Sequence, residues 1–172
     1  MNRRLSNALA AFATVLAAMF LLPHTQAASG TWQPTASPPN GSTPTFGHLW
    51  SDSTQWAGGT IAGSAGTTNS PDTLNFTIQG HYTIELDDNY NVKYIISDPG
   101  AHGHAIATQT GKTLGLTDGG SITGYNNGQD KYFAPIRLEG GDGGTYTLNG
   151  TNMKIYAPVT GTATAGNYDQ IL

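Results

Sequence analysis

YTIELDDNYNVKYIISDPGAHGHAIATQTGKTLGLTDGGSITGY, residues 82–125, is the stretch that decides the fold. It is made of short runs in which apolar and polar residues alternate, and Gly, Asn, Asp or Pro ends each run. Ile84 and Leu86 flank Glu85, and Leu114 and Leu116 flank Gly115. Alternation places successive side chains on opposite faces of a strand. Each run therefore predicts a short strand with one buried face.

The strand-like runs continue on both sides of this stretch, about 8 to 12 residues apart and without a helical segment between them. The predicted strands are Thr73–Ile78, Tyr82–Leu86, Val92–Ser97, His104–Thr108, Thr113–Leu116, Ser121–Tyr125, Phe133–Leu138, Thr145–Leu148 and Met153–Tyr156. Leu116 and Leu138 are 22 residues apart, close to the shorter repeats of solenoid proteins. No clear two-residue hairpin loop such as Asn-Gly joins adjacent strands. We therefore predict an all-β fold, a right-handed parallel β-helix (β-solenoid) of about three to four rungs with an N-terminal cap. A β-sandwich is the alternative.

Composition narrows the function classes. The chain has a net charge of −4, 23 glycines and no cysteine, which excludes a disulfide framework and a thiolate metal site. Its basic residues beyond the N-terminus are scattered, whereas nucleic acid and anionic membranes require clustered Lys and Arg. We expect neither as a partner.

Three segments are predicted along the chain. Residues 1–27 have the features of a signal peptide: Arg3 and Arg4, an apolar run from Ala8 to Leu22, and small residues before Ala28. The apolar run is shorter than the ~20 residues of a membrane span. Residues 28–45 are rich in Pro, Ser and Thr and predict a linker, and residues 46–172 predict the solenoid with its cap.

Several motifs resemble autotransporter-type passenger proteins. They are Thr31-Trp32, the W-SDSTQ-W-AGG motif of residues 50–59, PDTLNFTI at 71–78, GKTLGLTDGGSITG at 111–124 and KIYAPVTGTA at 154–163. The resemblance implies a parallel β-helix at the cell surface or in the medium, without a catalytic centre in its repeats. The family continues into further repeats and a membrane anchor, whereas this sequence shows no translocator barrel and no hydrophobic anchor after GNYDQIL. The expectation is a short exported protein or the head of a longer passenger.

Candidate site residues are few. Trp50 and Trp56 are expected to seal the first rung, with sugar stacking as the alternative ligand-binding role. His102 and His104 point to one face of a strand and are candidate metal ligands, but no third ligand is placed beside them, so no metal is expected.

Acidic residues raise two further possibilities. Glu85, Asp87, Asp88, Glu139 and Asp142 raise the question of a carboxylate pair for sugar cleavage, although Asp87-Asp88-Asn89 has the character of a turn. GGDGGTYTL at 140–148 resembles a calcium nonapeptide but has Thr145 where the motif needs Asp. We expect no catalytic residue and no cofactor.

The sequence thus predicts a structural or adhesive module exported to the cell surface, the medium or the periplasm. A carbohydrate-binding or polysaccharide-cleaving β-helix is the alternative. The expected partners are surface polysaccharide or a second copy of the chain, the latter through the C-terminal rung, where Lys154 is the one charge guarding the edge between Met153 and Ala165.

Overall fold

The computed structural model describes residues 28–34, 48–65, 70–78, 82–99, 101, 103–124, 130–140, 144–150, 153–161 and 170–171. These residues form an all-β fold in which parallel strands stack into a β-solenoid of about three turns. The predicted solenoid is confirmed, and the sandwich alternative is wrong, because every strand pair but one is parallel. The proposed signal peptide of residues 1–27 lies outside the described residues.

The described residues form fourteen strands, which are numbered in chain order. They are β1 (Gly30–Trp32), β2 (His48–Leu49), β3 (Ser64–Ala65), β4 (Thr73–Phe76), β5 (Thr83–Glu85), β6 (Tyr90–Ser97), β7 (Ala105–Ala107), β8 (Leu114–Gly124), β9 (Lys131–Tyr132), β10 (Ile136–Leu138), β11 (Thr145–Gly150), β12 (Lys154–Ile155), β13 (Val159–Gly161) and β14 (Gln170–Ile171). Two single-turn 3-10 helices, Ser53–Gln55 and Ala57–Gly59, lie between β2 and β3.

The strands build three faces around one core. Face A contains β1, β4, residues 94–97 of β6, residues 121–124 of β8, and residues 147–150 of β11. Face B contains β2, β5, β7, β9 and β12. Face C contains residues 90–92 of β6, residues 114–116 of β8, β10 and β13. Both β6 and β8 therefore contribute to two faces, and a register shift between Val92 and Tyr94 marks the corner.

Each turn of the solenoid places like residues above one another. On face A, Leu74 pairs with Ile95, Ile95 with Ile122 and Ile122 with Leu148, so successive turns take 21, 27 and 26 residues. On face C, Leu116 pairs with Leu138, which confirms the 22-residue spacing expected from the sequence. The inward positions of both faces form apolar columns because strands pair in register and side chains alternate with period two.

Some predicted boundaries require correction. The two strands expected over Thr113–Leu116 and Ser121–Tyr125 are one bent strand, β8, whose bend contains Gly119 with a φ of 68°. The strand expected over Phe133–Leu138 is shorter: β10 on face C begins at Ile136, and β9 on face B ends at Tyr132, before the expected range. Within the expected linker of residues 28–45, Gly30–Trp32 is strand β1, because Trp32 is completely buried and pairs with Phe76.

The N-terminal end of the stack is closed by three tryptophans. Trp32 and Trp56 meet edge to face with ring centroids 5.1 Å apart, and Trp50 stacks on Tyr90 at 5.1 Å. The backbone on either side of β1 also forms hydrogen bonds with the cap. Gln33 donates its backbone N–H to the Gln55 carbonyl, and the Gly63 N–H donates to the Ala28 carbonyl. This arrangement is the N-terminal cap expected from the sequence.

The C-terminal end of the described stack is more open. Inward residues of the middle turns, such as Leu116 and Ile122, are buried, whereas Leu148, Ile155 and Val159 of the last turn are only partly buried. Burial of the apolar column therefore decreases toward this end.

We expect Leu116→Ala to lower the free energy of unfolding by about 2–5 kcal/mol, the range for truncating a fully buried leucine. Leu148→Ala is the matched control, because the same side chain lies half-buried in the last turn and leaves a smaller cavity. Urea denaturation of both variants checks this difference. An equal loss would contradict the burial gradient along the stack.

Candidate functional site

The outer surface of face A is the most uniform surface of the described residues, and we call it the neutral face. Between the buried inward residues, nine side chains point outward along its five strand segments. They are Thr31, Thr73, Asn75, Tyr94, Ile96, Ser121, Thr123, Thr147 and Asn149. With strands ~4.8 Å apart, the neutral face extends roughly 19 Å along the stack.

The neutral face carries neither a carboxylate nor a basic side chain among these nine positions. Five are hydroxyls and two are amides, groups that both donate and accept hydrogen bonds. Tyr94 is the exposed aromatic side chain on this face, and the Lys93 ammonium lies 5.6 Å from its ring centroid. The surface can therefore exchange hydrogen bonds with a hydroxyl-rich ligand and offer one aromatic ring, and the charge beside that ring is the Lys93 ammonium.

Charged side chains lie elsewhere on the solenoid. The Lys112 ammonium is 3.2 Å from an Asp88 oxygen at the turns between faces B and C. Lys131 and Lys154 lie in register on the neighbouring strands β9 and β12 of face B. Arg137 donates to Glu139 on face C. The neutral face differs from its two neighbours in this respect.

Trp50 and Trp56, the two residues proposed for sugar stacking, lie in the cap. Their exposed fractions are 0% and 3%, and each indole N–H donates to a backbone carbonyl at 2.9 Å, that of Ala62 and that of Trp50 respectively. Their burial satisfies the polar atom of each ring while the apolar part packs. A ligand-binding role for this pair stays a prediction, and it would require the cap to open.

A polar turn holds the cap loop in place. Asp52 accepts hydrogen bonds from the Thr54 hydroxyl, the Thr54 backbone N–H and the Gln55 amide. These donors, the Thr54 hydroxyl first, lower the pKa of the Asp52 carboxyl below its ordinary value because they stabilise the ionised form. On the neighbouring turn, Asp87 accepts from the Ser51 hydroxyl and from the Tyr90 hydroxyl, which links the cap to the first full turn.

His104 lies in a buried aromatic column and not at the surface. Its ring stacks on Phe76 with centroids 4.2 Å apart and on Tyr82 at 5.9 Å. The Asp130 carboxylate accepts the His104 backbone N–H at 3.3 Å. His102 lies outside the described residues, so the proposed histidine pair is not tested by its geometry. Within the part of the chain that the structure describes, no three His, Asp or Glu side chains are grouped to hold a metal ion.

The acidic residues considered for sugar cleavage lie at two places on the solenoid. Glu85 is on face B, Asp87 and Asp88 are on the turn that follows it, and Glu139 follows β10 on face C. Asp142, within the glycine-rich run considered for calcium, lies outside the described residues. Burial raises the pKa of the Tyr132 phenol, and the nearby Asp130 carboxylate adds to this shift. Burial also raises the pKa of the Tyr90 phenol, and the Asp87 carboxylate adds to that shift.

On face C, an asparagine fills the space left by a glycine. Asn91 is buried in register with Gly115, and a side chain built at Gly115 would overlap the Asn91 amide oxygen and lie 2.8 Å from its Cγ. The same position would be 3.2 Å from Cγ of Glu139, which pairs with Arg137. Glycine at 115 is therefore required by close approach within the outer row of face C and not by a strained φ.

We expect Gly115→Ala to destabilise the fold by about 1–3 kcal/mol, the usual cost of overpacking a filled site. Adding Asn91→Ala removes the obstacle, so the double variant should lose less stability than the sum of the two single variants. Denaturation midpoints of the four proteins give the coupling. Strict additivity would contradict the contact.

Comparison with known proteins places no relative beside this chain: no family model, no curated protein and no solved structure matches it. The parallel coils and the capped apolar columns define the class, a β-solenoid protein. None of the described residues belongs to a helix long and apolar enough to cross a membrane.

The neutral face was not identified from the sequence. The alternating pattern predicts that residues such as Thr73, Asn75 and Thr123 point outward. Which of them share one surface depends on the pairing between solenoid turns, and these turns differ in length. The two aromatic residues singled out instead, Trp50 and Trp56, proved to be buried.

Proposed function

We propose that this chain is a non-catalytic adhesive module that is exported and binds neutral polysaccharide through the neutral face. The observation that carries the proposal is the row of hydroxyl and amide side chains, without carboxylate or basic group, along five strand segments. Export and surface exposure are supported by the resemblance of motifs such as W-SDSTQ-W-AGG at 50–59 to autotransporter-type passengers.

The chemistry of the neutral face suits a sugar polymer. Sugar hydroxyls donate and accept, and so do Thr and Asn side chains, which allows pairs of hydrogen bonds without fixed charge. A pyranose ring has an apolar face that packs on an aromatic ring, and Tyr94 is 36% exposed on this surface. Single contacts of this kind are weak, but a polymer engages several at once, so its binding gains from multivalency.

The local hydrogen bonds of the carboxylates support a non-catalytic role over the cleaving alternative, since Asp87 accepts from Ser51 and Tyr90 and Asp88 accepts from Lys112. Glycoside hydrolysis needs two carboxyl groups about 5–10 Å apart across a sugar. Glu85 and Glu139 belong to different faces of the solenoid, and Glu139 is paired with Arg137.

Binding to insoluble polymers tests the proposal. The protein should co-sediment with a neutral polysaccharide such as cellulose or a mixed-linkage glucan, and less with polygalacturonate, because none of the nine outward positions of the neutral face is basic and the Lys93 ammonium at its border lies over the Tyr94 ring. Tyr94→Ala should weaken the binding about three- to tenfold, the equivalent of losing ~0.5–1.5 kcal/mol of aromatic contact. Thr123→Lys, in the middle of the face, should weaken it as well.

Tyr156→Ala is the matched control, since Tyr156 is an exposed tyrosine that follows β12 on face B. It should leave co-sedimentation unchanged at low protein concentration. The proposal fails if the parent binds no neutral polymer, or if Tyr156→Ala and Tyr94→Ala reduce binding equally.

Export is tested separately. The proposed signal segment implies that protein recovered outside the producing cell begins at Ala28. Intact-mass measurement of that material checks the processing site, with Leu16→Arg as a variant that interrupts the apolar run and should keep the protein inside. Material that retains Met1 in the medium would contradict cleavage, and a cytosolic protein would contradict export.

A further inference from the structure

We propose that the neutral face binds an extended β-(1→4)-linked glycan whose chain runs along the solenoid axis, with one sugar at each turn. The inference rests on the proposed function, since it takes neutral polysaccharide as the ligand, and it adds the linkage class and the direction of the bound chain. Three features of the neutral face support this direction: the register of its side chains, its shape and the charges at its borders.

The outward side chains of the neutral face form two rows that cross the strands. Each row follows the parallel register, in which a residue pairs with its equivalent in the next turn. The first row is Thr73, Tyr94, Ser121 and Thr147, and the second row is Thr31, Asn75, Ile96, Thr123 and Asn149. Four successive turns therefore each present one side chain from both rows, two residues apart on the same strand.

The neutral face is longer along the stack than along its strands. Neighbouring strands are ~4.8 Å apart, so the five strand segments of the second row extend over roughly 19 Å. In the strand direction the two rows are separated by two residues, about 6.6 Å. A chain along the stack therefore keeps four sugars between the rows, whereas a chain along a strand leaves the face after one or two.

Charged side chains lie at both borders of the neutral face. Lys93 precedes Tyr94 of the first row, and its ammonium lies 5.6 Å from the Tyr94 ring centroid. On the opposite border, Asp98 is exposed and follows Ser97, the last residue of β6. A neutral chain along this strand would pass over both charged groups and displace their water, which is costly. A chain along the stack lies between them.

The repeat of the polymer matches the repeat of the stack. An extended β-(1→4)-linked pyranose chain is a flat ribbon that advances per sugar by about the ~4.8 Å that separates neighbouring strands. Its hydroxyls lie along the two edges of the ribbon, so each edge faces one row of side chains that donate and accept hydrogen bonds. An α-(1→4)-linked glucan contains the same kind of sugar but curves, so its successive rings lift away from the face.

One of the four turns presents an apolar pair, Tyr94 and Ile96. Tyr94 is 36% exposed, so the sugar at this turn can pack its apolar face on the ring. Its neighbours along the chain meet the hydroxyl and amide side chains of the adjoining turns. The aromatic contact therefore sets the position of the chain on the stack, and the polar rows set its direction.

Calorimetric titration with cello-oligosaccharides of two to six sugars tests direction and linkage together. Affinity should rise several-fold from two to four sugars, as the four paired positions fill, and by less than about twofold from four to six. Malto-oligosaccharides of the same lengths, which carry the α-(1→4) linkage, should bind about tenfold more weakly at four sugars.

Thr147→Lys tests the position of the last sugar. Thr147 is exposed in the fourth paired turn, and a longer side chain there covers the fourth position, so the affinity of this variant should stop rising at three sugars. Thr110→Lys is the matched control, because Thr110 is an exposed threonine on the turn between faces B and C. It should show the same length dependence as the parent.

The possible failures are distinguishable. Equal affinity for the two linkages, or no rise with length, would overturn the proposed direction, while co-sedimentation with neutral polymers would still support the proposed function. Losses of equal size for Asp98→Ala and Thr147→Lys would indicate a chain that runs along the strand, and would also overturn it. A parent that binds neither oligosaccharide series nor any insoluble neutral polymer would contradict the proposed function itself.

Discussion

The structure depends on parallel hydrogen bonding between successive turns, with the register held at each face. Once Ile95 is fixed above Leu74, the inward positions of face A fall into columns, and the outward positions fall into rows on the other side. A turn adds stability only through its neighbours, because its own strands of two to four residues on each face bury too little to stand alone. Turns of 21 to 27 residues are tolerated, since the additional residues leave the stack at the corners.

This dependence makes the two ends of the stack chemically different from its middle. At the N-terminal end, the chain covers the first turn with the bulkiest apolar side chains available, and the indole N–H groups of Trp50 and Trp56 find backbone carbonyls while their rings exclude water. At the C-terminal end of the described residues, the same columns continue to Ile155 and Val159 with less burial. The asymmetry in burial is a property of the described part of the stack.

The corners and outer rows determine what the solenoid can contact. Gly115 allows the Asn91 amide to pack in the outer row of face C, close to the Arg137–Glu139 pair. Face A has no comparable charged cluster, and its hydroxyl and amide rows lie open over five strand segments. Two surfaces of one repeating scaffold thus acquire different chemistry from a few outward positions, while the inward positions remain nearly interchangeable.

The sequence by itself determined the approximate strands of the middle turns, their inward faces and the solenoid class. The alternation around Ile84, Ile106 and Leu116 is local information, and the 22-residue interval from Leu116 to Leu138 already measures one turn. Tertiary structure decided the rest: that Gly30–Trp32 joins the first turn from the expected linker, that Trp50 and Trp56 are buried, and that Thr73, Asn75 and Thr123 share one uncharged surface. The physical reason is that alternation fixes only the side on which a residue points. Which residues become neighbours across turns depends on corner lengths, and these are set by how the whole column packs.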